Sequence, residues 1–376
     1  MLGRRALALG FVSLSALAAC QLIVGVNDEE GLLRPDAATA DVVDDIIVPE
    51  DPCKKLHPPL PPTADKIPAD AGAQNYVLGV RRFYARKNGE VMGYDLDGRC
   101  TGIPGSTTSD PPCTSSKGIM ADADGGIDNA LLTISESFAA FNGTNAGSDL
   151  VGDLVNKQID LGAFTNLIGL FGYNGLSNDD EITVHIVPAT GLSSVGCDGG
   201  TLPEAGPQWD GCDTWAHSPG KIVDGKDPVW TGAIKGYVAD DVLVVQAQDL
   251  TFGLIGNELN TSDGMLTARI VRDGSGSIRM TDAVVAGRTP ANELLSIVQL
   301  LELNGTRICE SGQFLGLLRD SVCRARDLPL TQKEDGRGLS CGAISFAFGF
   351  EAEPVRLGTA GLLPDVTCDA GMTCSD

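Results

Sequence analysis

Two short stretches hold the residues best placed to do chemistry. "GYDLDGRC" sets Asp95 and Asp97 two apart before a glycine, and "DADGGIDN" repeats that grammar with Asp122, Asp124, Asp128 and Asn129. Calcium takes about six to eight oxygen ligands at about 2.3–2.6 Å, and a D-x-D-G turn supplies carboxylates and carbonyls that converge on one point. Neither stretch is an EF-hand. Counted from Asp122, the positions that would need an acid or Asn, then Gly, then Glu hold Gly126, Ile127 and Thr133. A further acidic run, "NGLSNDDE", offers Asn178, Asp179, Asp180 and Glu181 as additional oxygen donors. The competing reading is structural: Asx-turns and a helix cap on an acidic surface. Five carboxylates drawn close repel one another unless a cation neutralises them or they spread apart. The expectation is a Ca²⁺ site of Asp95, Asp97, Asp122, Asp124 and Asp128 if the two turns meet, with Asp128 also capping the helix that follows.

Other chemistry has less to work with. His185 falls inside "ITVHIV", where a sheet would satisfy it, and His217 in "TWAHSPG" is the better-placed base. No nucleophile motif such as G-x-S-x-G accompanies either, so no catalytic residue is assigned. With 50 acids in the chain, carboxylate pairs suited to glycoside hydrolysis arise by chance, and spacing alone selects none. "RDGSGSIR" reads as a hairpin turn rather than a phosphate cradle, because a strand follows it. Trp209, Trp215 and Trp230 share one Gly/Pro-dense loop, as a sugar-stacking platform or as a local mini-core.

The elements that must position these residues come from periodicity. Leu131, Ile134, Phe138 and Phe141 recur at helical spacing behind Asp128, and a second helix starts near Ser148 with Leu150, Val151, Leu154 and Val155 on one face. "AFTNLIGLFGYNG" and "DEITVHIV" predict two strands joined by a polar turn. From residue 231 come five strand-like runs, with turns at "ADD", "NTSDG" and "RDGSGS", which predict an antiparallel meander. Helices are expected from Thr289-Pro290 and from Ser311. In "AISFAFGFEA", Ile344, Phe346, Phe348 and Phe350 alternate with small residues, so one face is core and the other is tight or solvent-facing. The fold class expected is α+β and β-rich: an antiparallel β-sandwich of jelly-roll or lectin-like type with several packed helices.

The N-terminus places the chain in a compartment. Arg4 and Arg5 precede an apolar run from Ala6 to Leu17, which closes with Leu17-Ala18-Ala19-Cys20, the pattern that bacterial lipoprotein signal peptidase recognises. Residues 1–19 are therefore expected to be a signal peptide, and Cys20 the lipidated first residue, palmitate and diacylglycerol being its acyl modifications. From residue 20 to 73 the composition is rich in Pro, Ala and Asp and predicts a disordered acidic tether, with 74–376 as a single disulfide-braced domain. The ten remaining cysteines are an even set in an exported chain and predict disulfides. Cys100/Cys113, Cys197/Cys212 and Cys368/Cys374 each enclose a turn-rich loop that can close on itself. A Cys309/Cys323 bridge is disfavoured, since an intervening helix would hold those residues about 20 Å apart.

Net charge is −23, and loss of the leader's two arginines takes it to −25. Such a surface repels phosphate backbones, which excludes nucleic-acid binding.

Taken in order, "GYDLDG", "GGIDNAL", "GYNGLSNDD", "VVAGR" and "CGAISFAFGFEAEP" make the chain similar to a group of exported lipoproteins of myxobacteria and related soil bacteria, over about residues 78–368. That resemblance implies a lipoprotein of the outer membrane or periplasm, with no activity and no catalytic residues carried over. The function expected is a lipid-anchored protein of the bacterial cell envelope, held to the membrane through Cys20. It would act as a non-enzymatic binding or display module for a glycan, a protein or cations. The outer membrane or cell surface is favoured, since Gln21 is not the inner-membrane-retaining Asp. The alternative is a carboxylate-dependent hydrolase of polysaccharide. A solute-binding component would need α/β alternation in two equal lobes, which the pattern lacks.

Overall fold

The computed structural model describes residues 52–53, 57–68, 72–141, 149–197, 206–254, 257–303, 306–362, 368 and 372–374. The leader, Cys20 and the chain as far as Asp51 lie outside the described residues.

Eight long strands follow one another around a single wall. They are β1 (Gln74–Tyr84), β2 (Thr165–Tyr173), β3 (Asp179–Ser194), β4 (Ile234–Ala239), β5 (Val242–Leu254), β6 (Asn257–Arg272), β7 (Ile278–Pro290) and β8 (Ala343–Pro354). Each pairs antiparallel with its chain neighbours, and β8 returns to β1. The sheet therefore closes into an eight-stranded barrel, and this replaces the sandwich expected from the sequence. Closure follows from the length of β3. Its first half bonds to both β2 and β4, for example Val184 to Leu170 and to Ile234. Its second half leaves the wall to pair with Thr214–His217, which in turn pairs in parallel with Arg356–Ala360. Register shifts in β1, β6 and β7 bend those strands enough to wrap.

The interior is filled. Phe83 on β1 and Phe252 on β5, four strands apart in the ring, place their ring centroids 5.6 Å apart across the barrel. Phe348 and Phe350 complete the cluster. The alternation expected in β8 holds: Ile344, Phe346, Phe348 and Phe350 face the core, and Ala343, Ser345 and Ala347 form a small-residue outer face. The expected turn "NTSDG" is absent. Residues 257–272 form one continuous strand, in which Asp263 takes φ 50° where the register shifts between Ser262 and Met265. The "ADD" turn does form, with Asp240 and Asp241 both at positive φ, as a two-residue hairpin turn demands.

Short turns at 174–178, 240–241 and 273–277 join strands at one end of the barrel, and the long connections leave from the other. The β1–β2 connection carries α1 (Ala130–Phe141) and α2 (Leu150–Asp160), and the β7–β8 connection carries α3 (Ala291–Val298) and α4 (Gly312–Arg324). Leu131, Ile134, Val151 and Val155 join the barrel core, as expected; the side chains of Phe138, Phe141 and Leu150 lie outside the described ones. Where β1 outruns β2, its exposed backbone is met by a side chain: Asn156 accepts from Phe83 N–H and donates to Phe83 O, both at 2.8 Å. Helix α2 is thereby tied to the rim.

Cys197–Cys212 pairs as expected, and Cys309 and Cys323 do not pair with each other. The other two expected loops do not close. Cys100 bonds Cys53, Cys113 bonds Cys341, Cys368 bonds Cys309 and Cys374 bonds Cys323. Loop composition favoured the local pairs, but the fold delivers remote partners within reach. Residues 114 and 340 bridge in register, which brings the Cys113 and Cys341 Cα atoms to 5.2 Å across 228 residues of chain. Cys53 fastens part of the stretch read as tether to the body. Beyond it, Tyr237 Oη donates to Pro59 O at 2.6 Å and Lys66 pairs with Asp240.

Truncating a fully buried ring of this core leaves a void that the packed neighbours cannot wholly collapse into. Phe346→Ala is expected to lower unfolding free energy by about 3–5 kcal/mol, read from the midpoint of a denaturant titration.

Candidate metal centre

On the outside of β7 and β8 the small residues leave room for a second layer. Met92, Tyr94 and Leu96 pack over Val284, Ala286, Ala343 and Ala347, and Tyr94 Oη reaches Thr267 Oγ1 at 2.6 Å. Gly93 is wedged between this wall and the second acidic segment. A Cβ there would lie 2.6 Å from Ile127 Cγ2 and 3.2 Å from Ala347 Cβ. Packing Met92, Tyr94 and Leu96 inward carries Asp95 and Asp97 into a turn above the wall.

That turn disposes of half of each carboxylate. Asp95 Oδ1 accepts from Gly98 N–H at 2.6 Å and Arg99 N–H at 3.2 Å, and Asp97 Oδ1 accepts from Arg99 N–H at 2.8 Å. The second acidic stretch is laced to the first. Asp122 Oδ2 accepts from Thr101 N–H at 2.6 Å, Asp128 N–H donates to Tyr94 O at 3.0 Å, and Asp128 Oδ2 accepts from Leu96 N–H at 2.6 Å. The two turns therefore meet: Asp95, Asp97 and Asp128 each bring a carboxylate oxygen within 4.8 Å of the others. Asp122 sits beside them, close enough to act on Asp97 and Asp128 electrostatically.

Two sequence expectations are corrected. Asp124 is exposed and stands outside the group. Asp128 does not cap α1; Asn129 does, accepting from Leu132 N–H at 3.3 Å. The Asn129 amide also donates to Met92 O and Ala347 O, taking up the edge of β8 beyond the last residue of β1 that pairs with it. Relieved of the cap, Asp128 is free to turn toward Leu96. The run "NGLSNDDE" lies at the short-turn end of the barrel, where Asp179 accepts from Asn174 and Glu181 N–H, and adds no ligand.

Three residues of the centre had escaped the sequence reading. Arg288, fully buried on the outer face of β7, bonds both Asp335 oxygens at 2.6 Å and donates to Leu96 O at 2.9 Å. Asp327 accepts from Ser345 N–H at 2.8 Å and from Ser345 Oγ at 2.5 Å, while the same hydroxyl accepts from Ala130 N–H at the start of α1. The available signal was an arginine ending the apolar run "AVVAG", since a charge there must find a buried partner.

Burial dominates the electrostatics. It pushes Asp97 up to about 6, helped by the charge on Asp95, and Asp122 up to about 8, helped by Asp97. It also raises Asp95, lifts Asp128 well above the carboxylate range with Asp97 and Asp122 adding to it, and raises Asp327 to about 6. Asp122 and Asp327 also line a cavity of about 180 Å³ beside α1, together with Arg86, Met120, Asn129 and Glu136. The donor set is all oxygen and suits a hard cation; alone, it offers a proton donor beside a small pocket.

The remaining candidates are structural. His217 is buried between Asp224 Oδ1 at 2.8 Å and Ser218 O at 3.0 Å. His185 holds Thr231 O and packs edge-on against Phe171 and tilted against Trp230. Trp215 is fully buried under Trp209, so the tryptophans form local cores rather than one platform. Comparison with protein families, with curated proteins and with solved structures finds no match.

Because these carboxyls keep their protons longer when folded than when unfolded, the native state binds more protons. In chelator, stability is then expected to fall as pH climbs from about 5, where unfolded carboxyls are already ionised, to about 8, where Asp122 ionises. Melting temperatures across that range check the sign; a rise would mean the centre is ionised and compensated within the fold.

Proposed function

We propose that the chain is a lipid-anchored module of a bacterial envelope that works by binding and display rather than by catalysis. One observation carries the reading. Asp95, Asp97, Asp122 and Asp128 gather at a largely buried spot and are laced to backbone amides, holding loops onto a filled barrel. The Leu17-Ala18-Ala19-Cys20 pattern supplies the anchor, and the similarity to exported lipoproteins of myxobacteria points to the same compartment. Among the described residues, no helix is long and apolar enough to cross a membrane; the attachment proposed is through acyl chains at Cys20. A surface glycan or a protein is the partner class for the displayed body.

The hydrolase reading draws on Asp122, whose carboxyl burial pushes up to about 8, at a cavity. At about 180 Å³ that cavity falls below the roughly 300–1,000 Å³ of ordinary ligand pockets. Asp122 also spends an oxygen on Thr101.

Cell fractionation tests the anchor. The native chain is expected to sediment with membranes and to enter detergent, while Cys20→Ala moves to the soluble fraction; retention of the variant would overturn attachment through Cys20. Incubation of the purified chain with a polysaccharide panel is expected to release no reducing ends. Release that Asp122→Asn abolishes would replace this reading with the hydrolase.

A further inference from the structure

We propose that Asp95, Asp97 and Asp128 bind a calcium ion, with Asp122 completing the carboxylate set. The inference stands independently of the anchor.

The observation that points to a ligand is what the turn leaves undone. Asx-type bonding accounts for Asp95 Oδ1 and Asp97 Oδ1. Asp95 Oδ2 and Asp97 Oδ2 are buried and accept from no donor. Asp95 is only 4 % exposed, and the free oxygens of Asp95 and Asp97 belong to residues gathered with Asp128. An acidic surface turn would leave such oxygens to water. A buried carboxylate oxygen with neither donor nor cation is among the more costly arrangements a fold can hold.

His57 and Arg288 act on Asp95 and Asp97 from a distance, but no side chain among the described residues pairs with the free oxygens. Arg288 is a buried cation of this region, and it is committed: both ends of its guanidinium go to Asp335, one also goes to Leu96 O, and its Nε lies 3.8 Å from Asp263. Among the described residues, no lysine or arginine forms an ion pair with Asp95, Asp97, Asp122 or Asp128. The backbone donors fix one oxygen of each carboxylate, which aims the other without using it.

The donor chemistry selects the ion. With neither imidazole nor thiolate in the set, zinc and copper are poorly served. Oxygens that face each other across Ca²⁺ lie up to about 5 Å apart, twice the Ca–O distance, whereas those across Mg²⁺ lie about 4.2 Å apart. A group whose oxygens all fall within 4.8 Å lies inside the Ca²⁺ span, and the number of ligands then separates it from Mg²⁺. Three or four carboxylates would also give Mg²⁺ more protein ligands than it ordinarily takes, since it keeps several waters. The burial of Asp95 and Asp128 makes the ion structural, a fourth brace on the loop layer beside Arg288, Asn129 and the Cys53–Cys100 bridge.

The test is calorimetric titration of CaCl₂ into the full chain, purified in detergent and stripped with chelator, followed by thermal melts. One Ca²⁺ per chain and a raised melting temperature are expected, with MgCl₂ at equal concentration giving a smaller rise. Asp97→Asn keeps the turn acceptor but not the charge. It is expected to weaken Ca²⁺ binding roughly tenfold or more with an unchanged far-UV spectrum, and to melt higher than the native chain when both are in chelator. Asp124→Asn, outside the group, is expected to bind as the native chain does. Should Asp97→Asn not fold, Asp128→Asn carries the comparison, because it retains an acceptor for Leu96. No binding up to about 10 mM Ca²⁺, equal affinity for Mg²⁺, or an Asp124→Asn defect as large as that of Asp97→Asn would each overturn the assignment.

Discussion

Arg288 sits on the outer surface of the barrel wall with no exposure to solvent, gripping Asp335 with both guanidinium nitrogens and Leu96 by its carbonyl. Removing one partner from such a pair leaves an uncompensated buried charge, a loss of about 3–5 kcal/mol. Two loops from different connections, 94–99 and 327–335, are therefore bound to β7 through one side chain. Around it stand Asp95, Asp97, Asp122, Asp128 and Asp327, whose mutual repulsion pushes the same loops apart. The outer layer is a balance between that repulsion and a few directed bonds: Arg288 to Leu96, Asp128 to Leu96, Asn129 to Ala347, and Asp327 to Ser345.

The balance is possible only because the wall beneath is smooth. Ala343, Ser345 and Ala347 project outward from β8, and Ala286 from β7, so an extended segment can lie against the sheet at Gly93 with no side chain between. Large residues at those positions would lift the 92–96 segment and separate Asp95 from Asp128. The phenylalanines on the inner face and the small residues on the outer face of one strand thus serve different tasks. The first closes the barrel core, and the second seats the acidic turn.

This division explains what could be read in advance. Period-two alternation in β8, helical spacing in α1 and α4, and the turns at "ADD" and "RDGSGS" are local properties, and they survive into the structure. Closure of the sheet depends on β3 meeting both β2 and β4, which no local pattern encodes, and a sandwich and a barrel share the same strand grammar. The acidic group was half legible. Four aspartates announced themselves through D-x-D-G spacing and the run around Asp128, but Asp327 and Arg288 reach the same spot from nearly two hundred residues away. The choice between Asp128 and Asn129 as helix cap turned on a neighbour, Leu96, that only the tertiary fold supplies. Two of the three expected disulfides failed for the same reason: a closable loop says nothing about a nearer partner elsewhere.

Cys53–Cys100 ties these threads to the N-terminal chain. Cys100 directly follows Arg99, whose amide is shared by Asp95 and Asp97, and Gly126 packs so closely on the bridge that a Cβ would lie 2.5 Å from Cys100 Sγ. The bridge spans 47 residues, a loop whose closure entropy is worth about 4 kcal/mol on the chain-entropy account. If Cys20 is held at a membrane, as proposed, a pull on the chain that reaches Cys53 passes through the bridge to the turn that carries the acidic group. A cation there would stiffen the loop layer at its point of entry, where like charges otherwise weaken it. On this account the acidic turns, the smooth strand face and the bridge form one device: an attachment that converts a repulsive loop into a rigid collar, leaving the barrel to be displayed without being strained.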